Sequence, residues 1–397
     1  MTGQTPPPGW RRRLRGAFES GVIRGDDWFD AAFQRFNARF GRQRPRYIAG
    51  YRSFADPRGV ELYGRVLADR PQGGPGEHDD WWDNLLNTYR RFESDEVPGV
   101  ALSAEFGGAR VAMTTDHEGY YAASFQPVAP SSASLWSEAR VALSDGTLEF
   151  QQPVMQVLPN ARIGVISDID DTILHSSITD WKTAAQLTFL GNARTRKPLL
   201  GVAKLYAALQ GERNPLFYVS SSPWNLYDLL DEFIALNRIP HAPIFLRDIG
   251  TDTGKFIKTR GHGHKLERAR MLISRNPQLR WILLGDSGQQ DAELYAEAAR
   301  EFGERIAAIY IRDVDPDVDS PLDTGVDAWI EKVGGTKVPM LRVKDSVAIA
   351  EHAATLGLLD PSTIPAIVSD VHQDAARPTL NEAAVEEAVE QAQRPPE

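Results

Sequence analysis

The chain contains no cysteine in 397 residues. That excludes disulfides, thiolate metal sites and cysteine nucleophiles together, and it fits a reducing compartment. Long apolar runs are missing as well, and none approaches the roughly 20 residues needed to span a bilayer. The N-terminus MTGQTPPPGWRRRLR is basic but has no apolar stretch behind it, so it lacks the form of a secretory signal. The expectation is a soluble, cytoplasmic protein. Peripheral membrane contact is kept open by its basic arm.

Hydrophobic residues make up 42% and charged residues 25%, an ordinary globular balance at a length that holds two or three domains. The formal net charge of −10 is unevenly spread. Residues 1–50 carry ten arginines against Glu19, Asp26, Asp27 and Asp30. The plainer reading of this arm is a solvated terminus, and the sharper one is an anchor for anionic lipid or nucleic acid. With the rest of the chain acidic, no nucleic-acid partner is expected.

Four regions follow from hydrophobic periodicity. Residues 1–46 are the basic arm and an amphipathic helix, Asp26–Phe40, with Phe29, Phe33, Phe36 and Phe40 on one stripe. Residues 47–158 alternate over short runs such as GVELYGRVLAD and VALSAEF-GG-ARVAMTT, with a short helix expected over 79–92. They are expected to form an antiparallel β-sandwich accessory domain. From 159 to 370 the strand runs are apolar throughout (IGVIS, LFYVSS, PIFLRD, WILLGD, RIAAIYIRD) and alternate with helices. That pattern belongs to an α/β fold with a Rossmann-like, doubly wound parallel sheet. Residues 371–397, rich in Glu and Pro, are expected to be a disordered acidic tail.

Chemistry concentrates at the strand ends, where such sheets bind ligands. ISDIDDTILHSS puts Asp168, Asp170 and Thr172 directly after an apolar run. Ser220 ends the next strand, Lys265 opens a later helix, and GDSGQQD supplies Asp286 and Asp291. Crowded carboxylates repel one another, so a hard divalent cation is expected among them, and Mg²⁺ suits oxygen ligands. The set fits phosphoryl transfer. A carboxylate nucleophile forms an aspartyl-phosphate, a second carboxylate serves as acid and base, and a hydroxyl and an ammonium hold the phosphoryl oxygens.

The four pieces DIDDT, FYVSS, HGHK and GDSGQQD resemble the signature of the haloacid dehalogenase superfamily. SDIDDTILHSS, YVSSSPWNLYDLL, GHKLERARMLI and AIYIRDV are similar to the actin-patch-associated phosphatidate phosphatase family, over about 160–345. The resemblance implies a Mg²⁺-dependent phosphatase, with phosphatidate as the expected substrate. The alternatives are a soluble phosphoester or phosphoprotein as substrate, or a lipid- or protein-binding scaffold with a vestigial phosphatase fold. By the resemblance, Asp168 is nucleophile and metal ligand, and Asp170 is the acid/base with its backbone oxygen on the metal. Thr172 orients the loop, and Ser220 and Lys265 grip phosphate. Asp286 is the second metal carboxylate, and Asp291 a ligand of the metal's outer sphere. The superfamily's cap is limited here to a small flap over 176–196. Arg194, Arg196 and Lys197 could meet lipid headgroups from it, or simply form a solvated loop.

Other acidic and histidine clusters have plainer readings. DVDPDVDS (313–320) has Val318 where a calcium loop needs Gly, so a solvated loop is expected. His262 and His264 in GHGH are expected to sit in a glycine-rich turn rather than bind metal. His175 is left as either a structural or a near-site residue.

Overall fold

In the computed structural model the described residues are 46–68, 97–127, 134–169, 200–247, 263–288, 290–314 and 321–376. The arm, the helices expected at 26–40 and 79–92, and the flap at 176–196 lie outside them.

The first sheet contains β1 (Tyr47–Gly50), β2 (Ser53–Asp56), β3 (Gly59–Leu67), β4 (Ala101–Phe106), β5 (Ala109–Thr114), β6 (Tyr120–Phe125), β7 (Trp136–Leu143) and β8 (Glu149–Gln156). Its pairing path runs β1-β3-β2-β8-β7-β4-β5, with β6 also on β3. All pairs are antiparallel except β2 with β8. Strands β1 and β2 lie along successive halves of β3, with Tyr47 opposite Leu67 and Asp56 opposite Gly59. Alternate side chains point inward. Leu102, Ala104 and Phe106 of β4 and Ala139, Val141 and Leu143 of β7 meet Val60, Leu62 and Val66 of β3 in one core. Strands so far apart along the path can share a core only if the sheet curls. The β-rich expectation for 47–158 thus takes the form of one continuous curled sheet.

The second sheet contains β9 (Ile163–Asp168), β10 (Leu216–Pro223), β11 (Ile244–Arg247), β12 (Arg280–Asp286), β13 (Ile306–Arg312) and β14 (Met340–Val343). Its order is β11-β10-β9-β12-β13-β14, and every pair is parallel. Both faces are covered, which is why the strand runs are apolar without alternation. Val165, Tyr218, Ile282 and Tyr310 face α1 (Val202–Gln210), α2 (Tyr227–Leu236), α6 (Ser346–Thr355) and α7 (Ile364–Ala376). Ile166, Phe217, Trp281 and Ile309 face α3 (Gly263–Arg275), α4 (Asp291–Phe302) and α5 (Pro321–Gly334). The order of connection reverses between β9 and β12. Ligand crevices of doubly wound sheets open at the carboxyl ends of such a pair.

Two stretches differ from the sequence reading. Helix α5 was not expected, because Gly325 and three acidic residues interrupt its pattern; the buried Val326 and Val333 are the residues that anchor it. Helix α7 carries regular structure to Ala376, past the expected start of the tail at 371, and Asp374 accepts a hydrogen bond from Gly201 N at 3.0 Å. Among the described residues no helix is long and apolar enough to cross a membrane.

The boundary expected near 158 is crossed by contacts between the two sheets and their helices. Phe54 stands edge-on to Phe217 and Phe245, and Tyr51 stacks on Tyr227 with ring centroids 4.0 Å apart. Arg52 forks onto Asp231 at 2.8 and 3.0 Å. Arg275 of α3 forks onto Asp56 at 2.6 and 2.9 Å and also reaches Glu61.

Asp228, on α2 at this junction, is pushed up to about 7 by burial and by the neighbouring Asp231. A carboxyl whose pKa rises on folding favours the protonated fold. Stability is therefore highest below the unfolded value near 4 and falls as pH rises toward 7. Asp228→Asn is expected to remove that slope and to stabilise the protein at pH 8 by on the order of 2–4 kcal/mol. Urea midpoints at pH 5 and pH 8 check this.

Candidate active site

Four side chains from four elements converge at the carboxyl edge of the second sheet. Asp168 ends β9, Asp286 ends β12, Asp291 opens α4 and Lys265 lies in the first turn of α3. All four are fully buried. The Lys265 ammonium lies 2.8 Å from Asp168 Oδ1 and 2.9 Å from Asp291 Oδ1. A cation in the first turn of a helix opposes the helix dipole, so it is the carboxylates that hold it there. Asp291 is placed where the dipole favours an acid. Its second oxygen accepts the backbone N–H of Asp286 at 3.3 Å. Each Asp291 oxygen is thus engaged, one by the lysine and one by the strand end.

One carboxylate oxygen from each of Asp168, Asp286 and Asp291 lies within 4.8 Å of the others. Among the described residues of the cluster, three buried carboxylates stand against one lysine, an excess of two negative charges. Burial of such an excess is costly, and a divalent cation cancels it. The donors are all hard oxygens, and ligands on opposite sides of Mg²⁺ are about 4 Å apart. The residues present therefore fit Mg²⁺. The field of the cluster also acts on Tyr295, whose phenol is held well above its usual range by burial and by Asp291, Asp168 and Asp286. It stays neutral, with its hydroxyl 3.3 Å from the Leu284 carbonyl.

Gly285 makes this packing possible. A Cβ there would stand 2.6 Å from Asp291 Cβ and 2.7 Å from Asp291 Oδ2. Gly285→Ala is expected to push α4 away from β12 and cost about 1–3 kcal/mol. A lowered melting temperature, together with weaker Mg²⁺ binding by calorimetry, checks it.

Ser220 is on the same rim. Val219 of β10 pairs with Asp168, so Ser220 lies one residue further along the neighbouring strand, fully buried, and its oxygen accepts the Ser222 N–H at 2.9 Å. Asp170 and Thr172 lie outside the described residues, as do His175, His262, Arg194, Arg196 and Lys197. His264 is not in a turn. It is buried in the first turn of α3, and burial, with help from the nearby cationic Arg268, pulls its ring down to about 4, so it is neutral. Asp313, at the start of the acidic loop, is ion-paired with Arg342 at 3.0 Å.

A supporting relay has no signature in the sequence. Ser167 Oγ donates to the Asp168 carbonyl at 2.7 Å and lies 2.6 Å from Tyr206 OH. With the serine proton committed to the carbonyl, the tyrosine donates. Tyr206 looks like any apolar position of α1, so nothing in the sequence marks it. After β12, Ser287 N–H donates to the Arg312 carbonyl at 2.8 Å and Ser287 Oγ accepts Val314 N–H at 3.1 Å. These bonds fix the loop that carries the strand-end carboxylate.

Residues 163–313, which hold the whole cluster, match the family model of the phosphatidate phosphatase APP1 catalytic domain. The chain is 36% identical to phosphatidate phosphatase APP1 of Saccharomyces cerevisiae over 152 residues, 38% of this chain and 26% of that protein. It is 30% identical to an uncharacterized protein of Schizosaccharomyces pombe over 175 residues, 43% of this chain and 28% of that protein. The chain thus spans about a quarter of the length of these curated relatives. Among solved structures, a phosphoserine phosphatase from T. onnurineus aligns at 15% identity with a TM-score of 0.27, over 50% of this chain and 96% of that one. A carbohydrate acetylesterase from Xanthomonas citri aligns at 10% identity with a TM-score of 0.29, over 75% of this chain and 68% of that one. Scores this low carry nothing about fold or function. By the family match and the identity to the yeast protein, residues 163–313 are similar to the phosphatidate phosphatase APP1 catalytic domain.

Proposed function

We propose that the protein is a Mg²⁺-dependent phosphomonoesterase of the haloacid dehalogenase type that hydrolyses phosphatidate to diacylglycerol and phosphate. The observation that carries this is the buried convergence of Asp168, Asp286 and Asp291 on Lys265 at the switch point of a parallel sheet. The identity to a protein named phosphatidate phosphatase supports phosphatidate as the substrate. The family covers only part of the chain, and the curled sheet is read as a support for the catalytic part.

Asp168 and Asp286 would hold Mg²⁺, with Asp291 behind them. When bound, the ion neutralises the carboxylates and the phosphoryl oxygens. An Asp168 oxygen attacks phosphorus and the ester P–O bond breaks. Asp170 gives its proton to the departing alkoxide. Water then attacks the aspartyl-phosphate, Asp170 takes the proton back, and phosphate leaves. Lys265 pairs with the nucleophile Asp168 at 2.8 Å, and Lys265 and Ser220 offer donors to the phosphoryl oxygens. Asp291 is a positioning residue, since it fixes Lys265 and the backbone of Asp286.

The test is phosphate release from phosphatidate in mixed micelles, with and without Mg²⁺, against a panel of soluble phosphomonoesters. Mg²⁺-dependent release from phosphatidate is expected. Release only from soluble esters would remove the lipid substrate, and no release from either would leave a binding scaffold.

A further inference from the structure

Arg312, the last residue of β13, is 92% removed from solvent and pairs in register with Asp286 of β12. Among the described residues its guanidinium makes no ion pair and no side-chain hydrogen bond. A buried, unpaired guanidinium is costly, because it cannot lose its charge in a protein. Burial pulls its pKa down to about 10, which still leaves it charged at neutral pH. Of the groups that act on it electrostatically, Tyr206 is a neutral phenol and Asp345 a carboxylate. Tyr206 commits its proton to Ser167, and Asp345 caps α6 by accepting the Ala348 N–H at 2.9 Å. Both favour its charge, but neither makes an ion pair or a side-chain hydrogen bond with it.

Arg312 lines a pocket with Tyr206, Gly285, Tyr310 and Ser346, bounded by α1 and α6. The pocket encloses about 240 Å³ including its open mouth, and its depth has room for about one water-sized atom. It lies on the opposite side of β12 from Asp291, because Gly285 touches Asp291 on one face while Leu284 and Tyr310 line the pocket on the other.

We propose that this pocket is a second anion site, in which Arg312 holds a phosphate group with one oxygen in the pocket and the remainder at its mouth. An arginine fork matches phosphate geometry. The choice of phosphate over another oxyanion rests on the phosphatase reading; the pocket and its unpaired cation do not. The group held is either released inorganic phosphate or the phosphoryl group of an ester on its way to the carboxylates.

The test is binding without turnover. Full-length protein in EDTA is titrated with inorganic phosphate and, separately, with glycerol 3-phosphate, following melting temperature and calorimetric heat. Saturable binding to the native chain is expected, weakened at least about tenfold by Arg312→Met and several-fold by Arg312→Lys, which keeps the charge but loses the fork. Binding of inorganic phosphate alone identifies the product, and binding of both identifies the ester group. No saturable binding by the native chain, or binding unchanged in both variants, overturns the site. If Arg312→Met does not fold, Arg312→Lys and the native titration still decide. Since no step of the test requires hydrolysis, its outcome is separate from that of the micelle assay.

Discussion

Asp168→Asn is expected to lower phosphomonoester turnover by at least about 10⁴-fold while leaving the metal-free protein as stable as the native chain or more so. The first effect follows from chemistry, since an amide oxygen is not a nucleophile that can form and release a phosphoryl ester. The second follows from charge counting. In the absence of metal, three buried carboxylates cluster and one ammonium pairs with two of them, Asp168 and Asp291. Asn removes one of the excess negative charges, and Lys265 retains Asp291 at 2.9 Å. Stability and activity therefore move in opposite directions, which ordinary damage to a core does not produce. Urea midpoints in EDTA beside initial rates in Mg²⁺ separate the two. A variant that loses activity by unfolding, or one that keeps its turnover, would each count against the assignment of Asp168.

Lys265→Met is expected to do the reverse to stability. Methionine fills much of the volume of the lysine stem but brings no charge, so Asp168, Asp286 and Asp291 are left buried without the ammonium. Removing one partner of a buried ion pair costs about 3–5 kcal/mol. Here one lysine serves two carboxylates, which puts the effect at the upper end. Mg²⁺ should restore part of this loss, because the cation supplies the missing positive charge and binds only the folded state. Denaturation with EDTA and with millimolar Mg²⁺ measures it. Turnover should stay low in both, since the ion does not replace the donor to the phosphoryl oxygens.

The sequence reveals the parallel sheet better than the first sheet, for a physical reason. Strands buried on both faces read as unbroken apolar runs, and IGVIS, LFYVSS and WILLGD each became a strand within a residue or two of the expected bounds. The strands of 47–158 are equally visible through alternation. Their closure into one curled sheet is not, because local periodicity carries no information on which strands pair. Helix α5 was hidden by Gly325 and its acidic residues, and the burial of Val326 and Val333 overrides that weak propensity.

The site was legible where charge interrupts an apolar strand end. Asp168, Asp286, Asp291 and Lys265 all come from such places, and they meet. Their division of labour was not legible. Lys265, expected to grip phosphate, is also the counter-charge of two aspartates, and Asp291 spends both oxygens on positioning. His264, expected in a turn, is a buried member of α3. Tyr206, Ser167 and Arg312 act through contacts between elements distant in the chain, and no local pattern announces those.

The central claim is that these carboxylates gather around one divalent cation beside a phosphoryl group. A crystal structure grown with Mg²⁺ and beryllium fluoride tests it most directly. Predicted is a beryllium–oxygen bond to Asp168, with Mg²⁺ at about 2.1 Å from oxygens of Asp168 and Asp286. Density for the cation elsewhere, or Asp168 still ion-paired to Lys265 with no fluoride complex beside it, would contradict the assignment.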